Sequence, residues 1–302
     1  MSNANMDPQL LLFRRQYLQL FEPDFLAWPP KALLRDAHIQ DWLYKNLFDL
    51  NTHARLPAVR YRCRVLKQLI AKIEQSIEDP EEDVGASQCL IYQSHVTLRS
   101  LLARSDPSRT LQEISDDLMS TLSSLMGSEL PSEMVAVQQK SYVTFSTPFP
   151  DHRDTETEPG ITLLERRNLI SGSQTTGFRT WEAALHLGSY LLTPAGKELV
   201  RGKSVLELGA GTGFLSIQCA GQLQASHVTT TDGDEGVVDA LKENLFLNDL
   251  DDGQKVLTSV LRWGHGLAGS WVQDDFEEHP YDTVIGADIV SACLHGLRYD
   301  LY

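Results

Sequence analysis

With 302 residues, 42% of them hydrophobic and 22% charged, the chain has the length for two ordinary domains and the composition of a globular protein. No apolar run is long enough to span a membrane, and the patch Leu10–Phe13 is too short for the core of a signal peptide and is followed by no small-residue cleavage site. The net charge of −15 is uneven: residues 1–100 hold 12 basic and 12 acidic side chains, residues 201–302 hold 6 and 16, and this acidic half argues against a nucleic-acid substrate and for a cationic one.

Residues 8 to about 126 read as helical. Apolar residues recur at helical spacing from Leu10 to Phe21, Pro29-Pro30 punctuates, and Ala32 to Leu50 reads as a second amphipathic helix. Pro57 opens a third helix over Val59 to Ile77. Six basic residues lie between Arg55 and Lys72 with no acidic residue among them, which makes either a solvated face or a docking face for a ribosomal factor or RNA. Thr110-Leu-Gln-Glu113 has the form of a capping box and predicts a helix ending near Gly127. Beyond it the pattern changes. Val135 to Phe145 alternates as a strand does, Pro148 to Gly160 reads as a loop, and Ile161 to Ile170 is strand-like before the turn Ser171-Gly172-Ser173. The domain boundary is placed here, between residues 1–130 and 131–302.

From residue 180 helix and strand alternate. Thr180 is placed to cap a helix over Trp181–Leu192. The strand Ser204–Leu208 precedes a helix Phe214–Ala220, and the strand His227–Thr231 precedes a helix Glu235–Leu247. Strands Val256–Leu261 and Tyr281–Ala287 follow. Such alternation predicts an α/β fold with a parallel sheet and helices on both faces. Cys63, Cys89, Cys219 and Cys293 are scattered without a C-x-x-C pair, and the nine histidines show no metal-ligand spacing. Free thiols, a reducing compartment and no metal site are therefore expected.

The strongest chemical signal is Val205-Leu-Glu-Leu-Gly209-Ala-Gly211-Thr-Gly213. Glycines at the end of a first strand let backbone approach a ligand with no Cβ in the way, at the end of the sheet where open α/β folds bind cofactors. The spacing is G-x-G-x-G, and Phe214 stands where a dinucleotide fingerprint has its third glycine. Glu207, inside the strand, would repel a pyrophosphate but suits the cationic amino group and sulfonium of S-adenosylmethionine. Asp232 follows Gly213 by 19 positions at the end of the next strand, where a carboxylate accepts from two ribose hydroxyls. Its alternative role is to cap the next helix, which Asp234 can also do. Trp263, after the third strand, either packs along an adenine face or belongs to the core, and Trp181 carries the same alternative of plain core packing.

At these residues the chain resembles a known family. Thr176-Gly-Phe-Arg-Thr-Trp181-Glu-Ala-Ala-Leu185, the glycine turn, Thr231-Asp232, Leu261-Arg-Trp263 and Gly286-Ala-Asp288 follow the order and spacing of the small seven-strand protein methyltransferases. Leu10-Leu-Leu-Phe-Arg-Arg-Gln-Tyr17, Phe25-Leu-Ala-Trp28 and Leu56-Pro-Ala-Val-Arg-Tyr-Arg-Cys63 with Leu66–Ile70 look like the helical N-terminal domain of the elongation factor 2 lysine methyltransferase family. The resemblance spans residues 10–100 and 161–288. It implies an α-helical N-terminal domain and a class I, Rossmann-like methyltransferase domain that uses S-adenosylmethionine on a lysine of elongation factor 2, in the cytoplasm. By the same resemblance Trp181, Gly209, Ala210, Gly211, Asp232, Trp263 and Ala287 fall on cofactor-binding positions. Asp288 falls on the first, catalytic position of a D-x-x-Y/F motif beside the target lysine, whose fourth position here is Ser291. Methylation of RNA or of a small molecule is the rival activity, and a nicotinamide-linked oxidoreductase is disfavoured by Phe214 and Glu207.

The resemblance also implies seven strands where only four are readable. The sheet is thus expected to be incomplete at the C-terminus, truncated after the fourth strand, which leaves a non-catalytic fragment as a further reading. Val290-Ser291 is how an in-frame intron donor GTAAGT or GTGAGT would be translated. The expectation is that residues from Val290 onward are intron read-through.

Overall fold

The computed structural model describes residues 7–78, 113–128, 139–146, 160–166, 176–264 and 269–289. The chain divides into two compact units, Met1–Leu130 and Pro131–Tyr302.

The first unit is helical. Asp7 accepts a hydrogen bond from the Gln9 amide at 2.8 Å, and Pro8 at the first turn pre-sets the backbone for α1 (Pro8–Leu18). The segment expected as one helix from Ala32 divides into α2 (Lys31–Leu34) and α3 (Ala37–Leu47). The reason is local: Asp36 takes an extended backbone and accepts from the His38 amide at 2.7 Å, so it restarts the helix as an N-cap. Helix α4 (Val59–Glu78) buries Cys63, Leu66, Leu69, Ile70 and Ile73, the i, i+3, i+4, i+7 pattern of an amphipathic helix. Helix α5 (Asp116–Gly127) starts after Ser115, later than the capping box predicts. Thr110–Gln112 of that box lie outside the described residues.

The core of this unit joins Leu10, Phe13 and Tyr17 of α1 to Leu43, Leu47, Val65, Leu66, Leu69 and Leu118. Burying each such side chain contributes roughly 1.5–3 kcal/mol. Two polar side chains are carried inside with partners. Tyr17 donates to the Leu47 carbonyl at 2.8 Å. Gln40, fully buried, donates to the Leu34 carbonyl at 3.0 Å and accepts from the Ser115 amide at 2.8 Å, joining the end of α2 to the start of α5. The basic stretch of α4 is not one uniform face. Arg62 is buried, Arg64 pairs with Glu22 at 2.8 Å, and the Lys72 ammonium lies 5.1 Å from the Trp28 ring centre.

The second unit holds an antiparallel hairpin and a parallel sheet. Strands β1 (Ser141–Ser146) and β2 (Gly160–Glu165) pair with Ser141 opposite Glu165 and Ser146 opposite Gly160. Residues 135–138 and 167–170 of the expected strands, and the turn at Ser171–Ser173, lie outside the described residues. Strands β3 (Ser204–Leu208), β4 (His227–Asp232), β5 (Val256–Val260) and β6 (Thr283–Gly286) form one parallel sheet in the order β5-β4-β3-β6. Its helices are α6 (Glu182–Leu191), α7 (Pro194–Val200), α8 (Phe214–Ile217, continued by a π turn over Gln218–Gln222), α9 (Glu235–Phe246) and α10 (Trp271–Glu278). This is the α/β class expected. Helices α7 and α10 are additions to the sequence reading. Thr180 does not cap α6: Trp181 occupies the cap position, and the Thr180 hydroxyl instead meets that of Thr212 at 2.7 Å.

The hairpin is tied to the end of α9 by two asparagines one turn apart, Asn244 within the helix and Asn248 two residues beyond it. Asn248 accepts from the Thr162 amide at 3.1 Å and donates to the Thr162 carbonyl at 2.7 Å, and Asn244 accepts from the Leu164 amide at 2.8 Å. Among the described residues no helix is long and apolar enough to cross a membrane. Cys63 and Cys219 are free and buried, and burial pushes the Cys219 thiol far above its ordinary range. Cys89 and Cys293 lie outside the described residues.

Gln40→Leu tests the first unit. It leaves a buried carbonyl and a partly buried amide without partners, at about 1–3 kcal/mol each. The full chain is expected to lose at least about 2 kcal/mol of stability in urea denaturation. A loss below 0.5 kcal/mol (about the noise of a surface change) would contradict this role for Gln40.

Candidate functional site

Five residues, Gly209 to Gly213, take the chain from the buried strand β3 into α8. Gly211 lies at φ +54° and Gly213 at φ +82°, the left-handed region that side chains disfavour. A Cβ on Gly213 would stand 2.1 Å from Leu241 Cδ1, and one on Gly211 would stand 3.3 Å from the Gly177 carbonyl oxygen. Several of the turn's backbone groups are bonded. The Ala210 amide donates to the Thr231 carbonyl at 2.8 Å, the Gly211 amide to Asp232 Oδ2 at 3.1 Å, and the Gly213 amide to the Ala210 carbonyl at 2.9 Å. The Thr212 carbonyl accepts from Asn244 Nδ2 at 2.9 Å.

Beside the turn opens a cleft of about 540 Å³. All nine residues named from the sequence line it: Trp181, Glu207, Gly209, Ala210, Gly211, Asp232, Trp263, Ala287 and Asp288. The strand order explains their convergence, since β3, β4 and β6 deliver Gly209, Asp232 and Asp288 at the carboxyl ends of adjacent parallel strands. Ser291, the fourth position of the expected motif, and the tail from Val290 lie outside the described residues.

Asp232 and Asp234 divide their work. Asp234 Oδ1 caps α9 by accepting from the Gly236 amide at 2.8 Å and the Val237 amide at 3.1 Å. Asp232 is thereby released from capping, and its carboxylate is oriented by the amides of Gly211 and Asp234. Trp263 is 41% exposed, which excludes the reading as a core tryptophan. The Trp181 indole donates to the Thr176 carbonyl at 2.9 Å, and the Arg179 guanidinium lies 5.3 Å from its ring centre. Asp288 sits exposed at φ +56°, a conformation that aspartate tolerates better than most side chains.

Glu207 is 2% exposed and accepts a short hydrogen bond from the Ser216 hydroxyl. Burial, only partly offset by that bond, pushes its carboxyl up to about 7. The two arginines of the cleft are both neutralised, Arg179 by Glu182 and Arg262 by Glu235, each at 3.1 Å. Among the described residues, carboxylates without partner cations and an exposed indole thus share one cavity, a donor set that fits a cationic ligand carrying a ribose and a base. Sequence reasoning missed Asn244, Ser216 and Thr180, which hold the turn and Glu207 in place. Their partners are 9 to 32 residues away, beyond any local pattern.

A family described as lysine methyltransferase matches residues 167–293. The chain is 42% identical over 286 residues to protein-lysine N-methyltransferase EFM3 of Chaetomium thermophilum, covering 95% of this chain and 75% of that protein. The EFM3 of Saccharomyces cerevisiae is 37% identical over 43% of this chain and 40% of its own length. The EEF1A lysine methyltransferase 3 of Mus musculus is 36% identical over 37% of this chain and 43% of its own length.

The raised Glu207 has a consequence for stability. The folded state binds this proton more tightly than the unfolded chain, whose carboxyl titrates near the ordinary 4.5. The stabilisation is therefore full below about 4.5 and lost as pH rises through 7. Glu207→Gln keeps the neutral shape and removes the titration. It is expected to gain on the order of 2 kcal/mol more over the native chain at pH 8 than at pH 5. Parallel melting curves that show no pH-dependent difference would place Glu207 in a wetter setting than the structure gives.

Proposed function

Because the chain belongs to the protein-lysine N-methyltransferase family, its activity is methyl transfer to a protein lysine; we propose that the acceptor is elongation factor 2 and that the cleft beside the glycine turn holds S-adenosylmethionine. The family implies this methyl donor. The observation that carries the site assignment is the convergence of all nine sequence-named residues on one cleft.

When bound, S-adenosylmethionine supplies a methyl group made electrophilic by its sulfonium. In this reading Asp232, already oriented by two amides, accepts from the ribose hydroxyls. Trp263 offers its exposed indole to the adenine, and the Gly209–Gly211 backbone comes close to the ligand where a side chain would intrude. Glu207 gives the cationic end a buried carboxyl. The acceptor lysine has an ordinary pKa of about 10.4, and its ammonium has no lone pair to attack with. The site must therefore select the neutral amine and align it. Asp288 accepts a hydrogen bond from that amine and fixes its direction, so positioning rather than a strong base supplies most of the acceleration.

Elongation factor 2 is favoured by the resemblance of the N-terminal helices and by the acidic balance of residues 201–302, which suits a lysine on a basic surface. The mouse relative's name points to a second elongation factor, EEF1A, as the nearest rival acceptor. The same acidic balance disfavours RNA. A cytoplasmic location follows from an elongation-factor substrate.

Asp232→Ala is expected to weaken S-adenosylmethionine binding at least tenfold by calorimetry, since a hydrogen bond to a charged group is worth roughly 1.5–3 kcal/mol. Unchanged affinity in a variant with native circular dichroism removes Asp232 from the ribose. For the acceptor, the chain is incubated with cell lysate and methyl-labelled S-adenosylmethionine, and label is expected in elongation factor 2. Label in EEF1A, in RNA or in small metabolites instead would refute that acceptor.

A further inference from the structure

Two of the nine histidines that look scattered along the sequence meet at one place away from the cleft. His227 opens β4, whereas Asp232, at the cleft, closes it. Five residues of strand put these ends about 16 Å apart. Asp275 and His279 come from the last turn of α10 and the residue that follows it. We propose that His227, Asp275 and His279 form a binding site for a zinc-class divalent metal ion at this amino-terminal edge of the sheet.

The donor atoms of the three side chains all lie within 4.8 Å of one another. His227 Nε2 is 3.5 Å and His279 Nδ1 is 3.8 Å from the same oxygen, Asp275 Oδ1. A tetrahedral ion with bonds of about 2.0–2.2 Å separates its ligands by roughly 3.3–3.6 Å, so these two edges are nearly at the required length. The other carboxylate oxygen is occupied: Asp275 Oδ2 accepts from the Thr229 hydroxyl at 2.7 Å and from the Tyr281 hydroxyl. These outer partners hold Oδ1 toward the imidazoles, as second-layer bonds do around bound metals. His227 and Asp275 are buried, and His279 Nδ1 is enclosed and accepts no hydrogen bond. That nitrogen and Asp275 Oδ1 thus lie close together with no hydrogen bond between them.

Two adjustments are required. His227 Nε2 lies 3.2 Å from the Thr229 hydroxyl, whose hydrogen goes to Asp275 Oδ2, so Nε2 must give up the hydrogen it shares with Thr229 to face an ion. The two imidazoles are also stacked, with centres 3.9 Å apart and planes 8° from parallel, so their lone pairs lie in parallel planes. The His279 side chain, 38% exposed, has the freedom to turn and bring Nδ1 onto the shared point. Two imidazoles and one carboxylate suit zinc, cobalt or nickel rather than calcium or magnesium. Three protein ligands leave a fourth position for water. An ion here would fasten the end of α10 to the start of β4.

The test uses the untagged full chain, stripped with a chelator and titrated with Co²⁺ as a coloured substitute for zinc. Visible absorption rising to one equivalent and abolished by Zn²⁺ is the expected result. His279→Gln should weaken Co²⁺ binding at least tenfold, while His186→Gln, an exposed histidine on α6, should leave it unchanged. His279 is partly exposed, so its variant is expected to fold, and circular dichroism checks this. The proposal is overturned if the folded native chain develops no absorption, or if His279→Gln and Asp275→Asn bind as the native chain does. Neither outcome bears on the methyltransferase reading, because no cleft residue is involved.

Discussion

The second unit depends on a backbone that must leave a buried parallel strand and enter a helix within five residues. Peptide groups in such a turn belong to neither ladder nor helix, and buried ones without partners cost about as much as a lost hydrogen bond each. The chain meets this by drawing partners from two other elements: the Thr231 carbonyl and the Asp232 carboxylate of β4, and the Asn244 amide of α9. Removing side chains at Gly211 and Gly213 makes the path possible, and the borrowed bonds make it singular. A cleft bounded by such a turn is already shaped before a ligand arrives, which reduces the ordering cost of binding.

The carboxyl groups around the turn show how environment separates residues of like chemistry. Asp234 is consumed by helix capping. Asp232, two residues earlier, is held by amides with its face to the cleft. Glu207 is buried in the strand, and its proton affinity rises accordingly. Thr231 completes the set by donating to the Glu207 carbonyl at 2.7 Å, so adjacent strands β3 and β4 are joined by a side chain as well as by their ladder.

What was legible in the sequence is what short-range physics dictates. The glycine turn and the alternating strands and helices follow from residue type and spacing, whereas the choice between Asp232 and Asp234 as cap stayed open until the structure gave the Gly236 and Val237 amides to Asp234. The division at Asp36 was legible too, because an aspartate before Ala37-His38 is a cap signal that the apolar periodicity outweighed. The hairpin's pairing, the Gln40 bridge and the His227–Asp275–His279 cluster were not legible. Each joins segments whose separation carries no periodic trace, and a buried glutamine has the same letter as an exposed one. Helix α10 was missed because Trp271–Glu278 is short and half acidic, and its buried side is only Val272 and Asp275.

A carboxamide has the donor and acceptor of a peptide group at the end of a side chain. Asn248 offers Thr162 both, as a neighbouring strand would, and Asn244 repeats half of the pattern two residues along β2. Seen from the hairpin, the end of α9 and the residues just past it therefore counterfeit a third strand. The outward row of peptide groups on β2, which would otherwise be a template for another molecule's strand, is closed from within the same unit. Aspartate at these positions would supply acceptors only and leucine neither, so the edge would reopen without any change in the hairpin's own sequence.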